Sequence, residues 1–219
     1  MTQYGSHPRQ RLWVRPGSKR GGNWLIVIHG GAWRDPKQSE KSGQFCANSL
    51  AALFEGVASV TYRLAPEYKF PTQPEDVRDA IDYLHKEYAF EKIVLAGHSA
   101  GAYISGEITA WDWCPVPVAL VVGIEGIYNL LDLLKEYPDY TDMIADCFGH
   151  AHETMVRADP DWSSVPLCAV HSVEDELLTL RQPELVSSEI IKLPHGKHDE
   201  VFETIDLLPR VRERILSAL

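Results

Sequence analysis

The 219-residue sequence predicts an α/β fold, a mostly parallel central sheet with helices on both faces. Short, β-branched apolar runs alternate with segments whose apolar residues recur at helical spacing. Two of those runs end in glycine-rich turns, His29-Gly30-Gly31 and Gly97-His98-Ser99-Ala100-Gly101, and the second leads straight into a helical pattern. Composition agrees: 45% hydrophobic and 24% charged residues describe one globular domain with a substantial core.

The elements follow in order. Trp24 to Ile28 is a β-branched run entering the first glycine turn, the mark of a buried strand. Ser39 to Phe54 has helical spacing and stops before Gly56; Val57 to Tyr62 is the next strand. Pro74 to Tyr88 reads as a helix. Its first turn is acidic (Glu75, Asp76, Asp79), which suits the helix dipole, and Val77, Ala80, Ile81 and Leu84 make one apolar face. Lys92 to Ala96 is a strand, Ala102 to Ala110 a helix, and Val118 to Ile124 and Leu167 to His171 are further strands. Between those two strands, residues 128–164 hold two helical patterns, Leu130 to Glu136 and Thr141 to Phe148. This stretch is expected to form a small helical cap over the site, within a single domain spanning 1–219. Ser188 to Leu193 is the last strand and Val201 to Leu219 a closing amphipathic helix.

A formal charge of −10 lacks the basic footprint of a nucleic-acid binder and disfavours anionic lipid. No run approaches the roughly 18 apolar residues of a membrane span. Residues 1–20 are polar, with several basic residues and no apolar stretch of a secretory signal, so a cytoplasmic protein is expected. Cys46, Cys114, Cys147 and Cys168 lie far apart, as expected of reduced thiols. The nine histidines include no HExxH, and His195 with His198 lacks a third ligand at metal spacing, so no metal is expected. His29, His98 and His171 adjoin strand ends as structural or pocket-lining residues; His7, His85, His150 and His152 have no assignable role.

Gly97-x-Ser99-x-Gly101 between a strand and a helix is the pattern of a nucleophile elbow, and with it the sheet becomes an α/β-hydrolase fold. A nucleophile on a strained turn stands clear of the sheet, and side chains at the two glycine positions would collide with the neighbouring strand and helix. The helix that follows aims its N-terminal amides at the same point. Acyl transfer also needs donors for an oxyanion. Ala100 supplies one amide, and the Gly30-Gly31 turn after His29 is the expected second source. In this fold the acid and base follow the serine in chain order. Glu174, Asp175 and Glu176 stand together after the strand at Leu167; Asp175 is preferred and Glu174 is the alternative. For the base, His198 at the start of the closing helix is preferred over His195.

His29-Gly30-Gly31, Tyr62-Arg63-Leu64-Ala65-Pro66-Glu67, Phe70-Pro71, Glu75-Asp76 and the elbow resemble the hormone-sensitive-lipase-like branch of α/β-hydrolases over about residues 24–103. The HGGxW form with Ala32-Trp33 is similar to the kynurenine formamidases, and the stretch 171–182 together with His198-Asp199 looks like the acid and histidine regions of the fungal ones. The resemblance supports Asp175 and His198 and implies hydrolysis of N-formyl-L-kynurenine in tryptophan breakdown without a cofactor. It also makes a homodimer plausible. The partner is then a small aromatic formamide; a broad small-ester hydrolase is the alternative, and a non-catalytic binding protein a more distant one. Trp33 and Tyr103 are candidates to stack on the substrate ring, with core packing as their other reading, and Arg63 and Arg181 are candidates for its amino-acid end. Little precedes Leu12, so an N-terminal strand of that branch is missing or abbreviated.

Overall fold

The computed structural model describes residues 1–111, 114–150, 159–187, 189–204 and 209–219. Its strands are β1 (Thr2–Gln3), β2 (Arg11–Arg15), β3 (Asn23–Ile28), β4 (Gly56–Val60), β5 (Lys92–His98), β6 (Val118–Ile124), β7 (Leu167–Ser172) and β8 (Ile190–Leu193). They form one sheet in the order β1-β2-β4-β3-β5-β6-β7-β8. The β1–β2 and β2–β4 pairs are antiparallel, and every other pair is parallel.

Every parallel strand coincides with an apolar run in the sequence; β2 does not, because only Leu12 of its residues is buried. The first strand, β1, has two residues. Side chains alternate along a strand, so each central strand feeds two cores. Trp24, Ile26 and Ile28 pack with Val77, Ala80, Ile81 and Leu84 of helix α2 (Thr72–Tyr88) and with Ile104 and Ile108 of α3 (Ala100–Ala110). Leu25 and Val27 join Cys46, Ala47 and Leu50 of α1 (Gln44–Leu50) in the second core.

Helix α1 starts later than its apolar spacing predicts. Ser39 and Ser42 satisfy each other's amides first, Ser39 N–H donating to the Ser42 hydroxyl at 3.0 Å and Ser42 N–H to the Ser39 carbonyl at 2.9 Å. After β6 come α4 (Leu130–Glu136) and α5 (Thr141–Phe148), as predicted; residues 151–158 of the expected cap, His152 among them, lie outside the described residues. A short α6 (Arg181–Glu184) precedes β8, whose expected start at Ser188 is also outside them. The expected closing helix is two helices among the described residues, α7 (His198–Thr204) and α8 (Pro209–Ala218). Among the described residues no helix is long and apolar enough to cross a membrane.

Candidate active site

Strand β5 delivers Ser99 to the sheet edge at φ 52°, a backbone region that side-chain-bearing residues rarely adopt. The turn is pinned on both sides. Ser99 N–H donates to the Ile124 carbonyl at 2.9 Å, and the Ser99 carbonyl accepts from Ala102 N–H at 3.0 Å and Ile127 N–H at 3.3 Å. The flanking glycines have steric causes: a Cβ on Gly97 would strike the Gly101 carbonyl and Ala102 amide, and one on Gly101 the carbonyls of Ile28 and His29.

Ile28 pairs with Gly97, so the loop leaving β3 emerges beside Ser99. Gly31, Ala32 and Trp33 follow one another at φ 89°, 49° and 60°. The Gly31 carbonyl closes the turn, accepting from Arg34 N–H at 3.0 Å and Asp35 N–H at 2.9 Å. Underneath, His29 stacks on Tyr62 at 4.4 Å and lies 2.9 Å from both Thr61 Oγ1 and the Gly30 carbonyl. Burial pushes His29 down to about 4, so the ring is neutral. The Tyr62 hydroxyl donates to the carbonyls of His29 at 3.0 Å and Gly30 at 3.2 Å, a brace that sequence reading did not find. The amide N–H groups of Gly31, Ala32 and Ala100 have no acceptor among the described residues.

On the far side of the sheet edge, Asp175 Oδ2 lies 2.8 Å from His198 Nδ1, with both side chains buried. Asp175 Oδ1 accepts from the N–H groups of Leu177 at 2.8 Å and Leu178 at 3.0 Å. Burial opposes the charge on Asp175, but hydrogen bonds from His198 and the backbone outweigh it and hold the carboxyl well below its usual range. His198 opens α7, and its carbonyl lies 3.1 Å from Nε2 of His98, which stacks on Phe202 at 4.6 Å. Burial pushes His98 down to about 3. The two alternatives pair with each other at the surface instead: His195, 82% exposed, lies 3.1 Å from Glu174.

Ser99 and His198 open onto one cavity of about 600 Å³. Gly31, Ala32, Ile127 and Met143 line it, and Arg34, Asp35 and Asp199 give it charge. Gly30 is absent from that wall; it packs behind the nucleophile, where a Cβ would come within 2.9 Å of Ser99 Cβ. Trp33 and Tyr103 are not on the cavity either. Both are fully buried, 5.7 Å apart, and Phe148 of α5 packs on Trp33 at 5.0 Å, so they hold α3, α5 and the glycine loop together. Arg63 and Arg181 are likewise engaged elsewhere. Arg63 forks onto buried Asp76 at 2.6 Å, and Arg181 pairs with Asp132 at 2.6 Å. The cationic residue in the wall is Arg34, paired with Asp146 of α5.

Behind Asp175 lie Glu125 at the end of β6 and His171 in β7, the three presenting ligand-type atoms within 4.8 Å of one another. Asp175 already accepts from His198 and two amides, which leaves this group little capacity for an ion.

Residues 25–113 match a protein family described as alpha/beta hydrolase fold. A kynurenine formamidase of Meyerozyma guilliermondii is 31% identical over 218 residues, covering 90% of this chain and 83% of that protein. The chain belongs to the kynurenine formamidase family. The kynurenine formamidase of Saccharomyces cerevisiae is 32% identical over 198 residues, 75% of this chain and 74% of that one. Among solved structures, esterase B from Lactobacillus rhamnosis superposes with a TM-score of 0.76 at 17% identity, covering 99% of this chain and 81% of that one. That likeness speaks for the fold, and the family membership for a hydrolase.

Proposed function

We propose that this chain hydrolyses N-formyl-L-kynurenine to L-kynurenine and formate, with Ser99 as nucleophile, His198 as base and Asp175 as the acid that orients it. The observation that carries the reading is the buried 2.8 Å Asp175–His198 pair, whose histidine lines the same cavity as Ser99 on its strained turn. Asp175 accepts Nδ1–H of His198, which leaves Nε2 as the base. His198 takes the Ser99 proton as the oxygen attacks the formyl carbon. The negative oxygen is received by N–H groups of Ala100 and Gly31, with Ala32 beside them and Gly30 supporting the turn from behind. The aniline nitrogen leaves with the proton from His198. Water, deprotonated by His198, then attacks formyl-Ser99; the bond to Ser99 Oγ breaks, His198 returns the proton to that oxygen, and formate is released. The chemistry uses no metal or organic cofactor.

The cavity suits this substrate in two ways. Ile127 and Met143 offer apolar surface to an aromatic ring, and Arg34 with Asp35 and Asp199 offers both signs of charge to an amino acid. Helices α4 and α5 act as the cap, with Met143 as its contact to substrate. A cytoplasmic setting fits Cys114, Cys147 and Cys168 kept as thiols, and a homodimer rests on the family alone. The test is the ratio of kcat/KM for N-formyl-L-kynurenine to that for p-nitrophenyl acetate. A ratio well above one supports the formamidase; a strong preference for the ester would make the chain a small-ester hydrolase.

A further inference from the structure

We propose that Glu125 is a positioning residue for the triad: it shares one proton with His171, and this neutral bridge fixes both ends of the loop carrying Asp175. The inference rests on Asp175 being the triad acid.

Glu125 stands at φ 45°, just past the end of β6, and its own N–H donates to the Val170 carbonyl at 2.9 Å. Its Oε1 accepts Ser172 N–H at 2.8 Å, which holds the start of the loop. Its Oε2 lies 3.1 Å from His171 Nδ1, with both side chains wholly buried. At the other edge of the imidazole, Nε2 lies 3.1 Å from the Leu178 carbonyl, the end of the same loop. A carbonyl only accepts, so Nε2 carries a hydrogen and Nδ1 of a neutral ring presents a lone pair. An ionised Glu125 would then set one lone pair against another at hydrogen-bond distance. Neither Oε2 nor Nδ1 has another partner among the described residues. A single proton held on Oε2 and donated to Nδ1 satisfies both atoms and leaves both side chains neutral.

The surroundings favour this state. Asp175 is buried beside the pair and already carries a charge, and a second unpaired carboxylate there would be costly. Burial pushes Glu125 up to about 10, with Asp175 adding to the rise, and burial pushes His171 down. The titratable groups facing the pair are Asp175 and Glu176 from the loop, His198 from α7, Tyr128 after β6 and Glu184 from α6. Between the two fixed ends, Asp175 receives the Leu177 and Leu178 amides and presents Oδ2 to His198. Glu125 touches no substrate; it acts through the placement of that oxygen.

The test compares Glu125→Ala and Glu125→Gln with wild type on p-nitrophenyl acetate and N-formyl-L-kynurenine. Alanine removes both anchors, and kcat should fall on the order of 10²-fold, with KM little changed. Glutamine keeps an acceptor for Ser172 and offers an N–H to His171, so it should recover kcat to within about threefold of wild type. Because the wild-type pair is neutral, the acidic limb of the kcat/KM profile should stay where it is in Glu125→Gln. The infrared spectrum at neutral pH should show a buried carboxylic-acid carbonyl band that Glu125→Gln lacks, a measurement that stands even if Glu125→Ala does not fold. Unchanged kcat in Glu125→Ala, an acidic limb displaced to lower pH in Glu125→Gln, or absence of that band would each overturn the proposal. Full activity in Asp175→Asn would instead sink the triad reading beneath it.

Discussion

Tyr62 offers a sharp perturbation of the glycine loop because its hydroxyl can be removed without emptying the space its ring fills. The ring stacks on His29 at 4.4 Å and is wholly buried, so Tyr62→Phe leaves the packing in place. What it deletes is one donor shared between the His29 carbonyl at 3.0 Å and the Gly30 carbonyl at 3.2 Å. The Gly30 carbonyl retains the His29 ring at 2.9 Å, whereas that of His29 loses its brace. Orphaning one buried carbonyl costs about 2 kcal/mol, and in a domain of this size that lowers Tm by roughly 4–8 °C. The same carbonyls set the path of Gly31 and Ala32, which line the cavity. A donor displaced by a fraction of an ångström should reduce kcat by about tenfold, part of the 10²–10³-fold that losing an oxyanion donor costs, with KM nearly constant. Thermal denaturation followed by steady-state kinetics measures both. A Tm and kcat equal to wild type would mean that the hydroxyl is no brace and leave the loop to its other anchors, Thr61 on His29 and the turn at Gly31.

Replacing Asp175 with Asn should cut kcat by about 10⁴-fold, as expected when the base loses its orienting carboxylate, while Glu174→Ala, which breaks only exposed contacts to His195 and Gly196, should stay within about twofold; equal losses in the two variants would reopen the choice between the acids. Trp33→Ala should destabilise by about 3–5 kcal/mol in chemical denaturation, because it empties the space between α3 and α5. A rise in KM with no loss of stability would return Trp33 to the substrate.

The parts of the site that a short stretch of chain builds by itself were readable in the sequence. Gly97, Ser99 and Gly101 are fixed by steric demands within a few residues, and the apolar runs of the parallel strands announce burial on both faces. Chain order points to the acids at 174–176 and the histidines at 195 and 198, and the 2.8 Å contact between Asp175 and His198 is what distinguishes them from the exposed Glu174–His195 pair. Direction was less legible. Nothing local says that Trp33 turns into the core while Arg34, one residue on, lines the cavity. Arg63 looks like a free cation in sequence because its partner Asp76 comes from a different element. The strand β2 escaped notice because an edge strand with one buried residue leaves almost no pattern. Glu125 did leave a signal: an acid directly after the apolar run of β6 must either leave the core or find a proton there.

Attack of Ser99 on a formamide is decided by turnover of N-formyl-L-kynurenine by wild type and by Ser99→Ala. Wild type should release formate and L-kynurenine in equal amounts, and Ser99→Ala should lose at least about 10³-fold in kcat while remaining folded. A wild-type protein inactive on this substrate, or a Ser99→Ala variant that turns it over normally, would contradict the account.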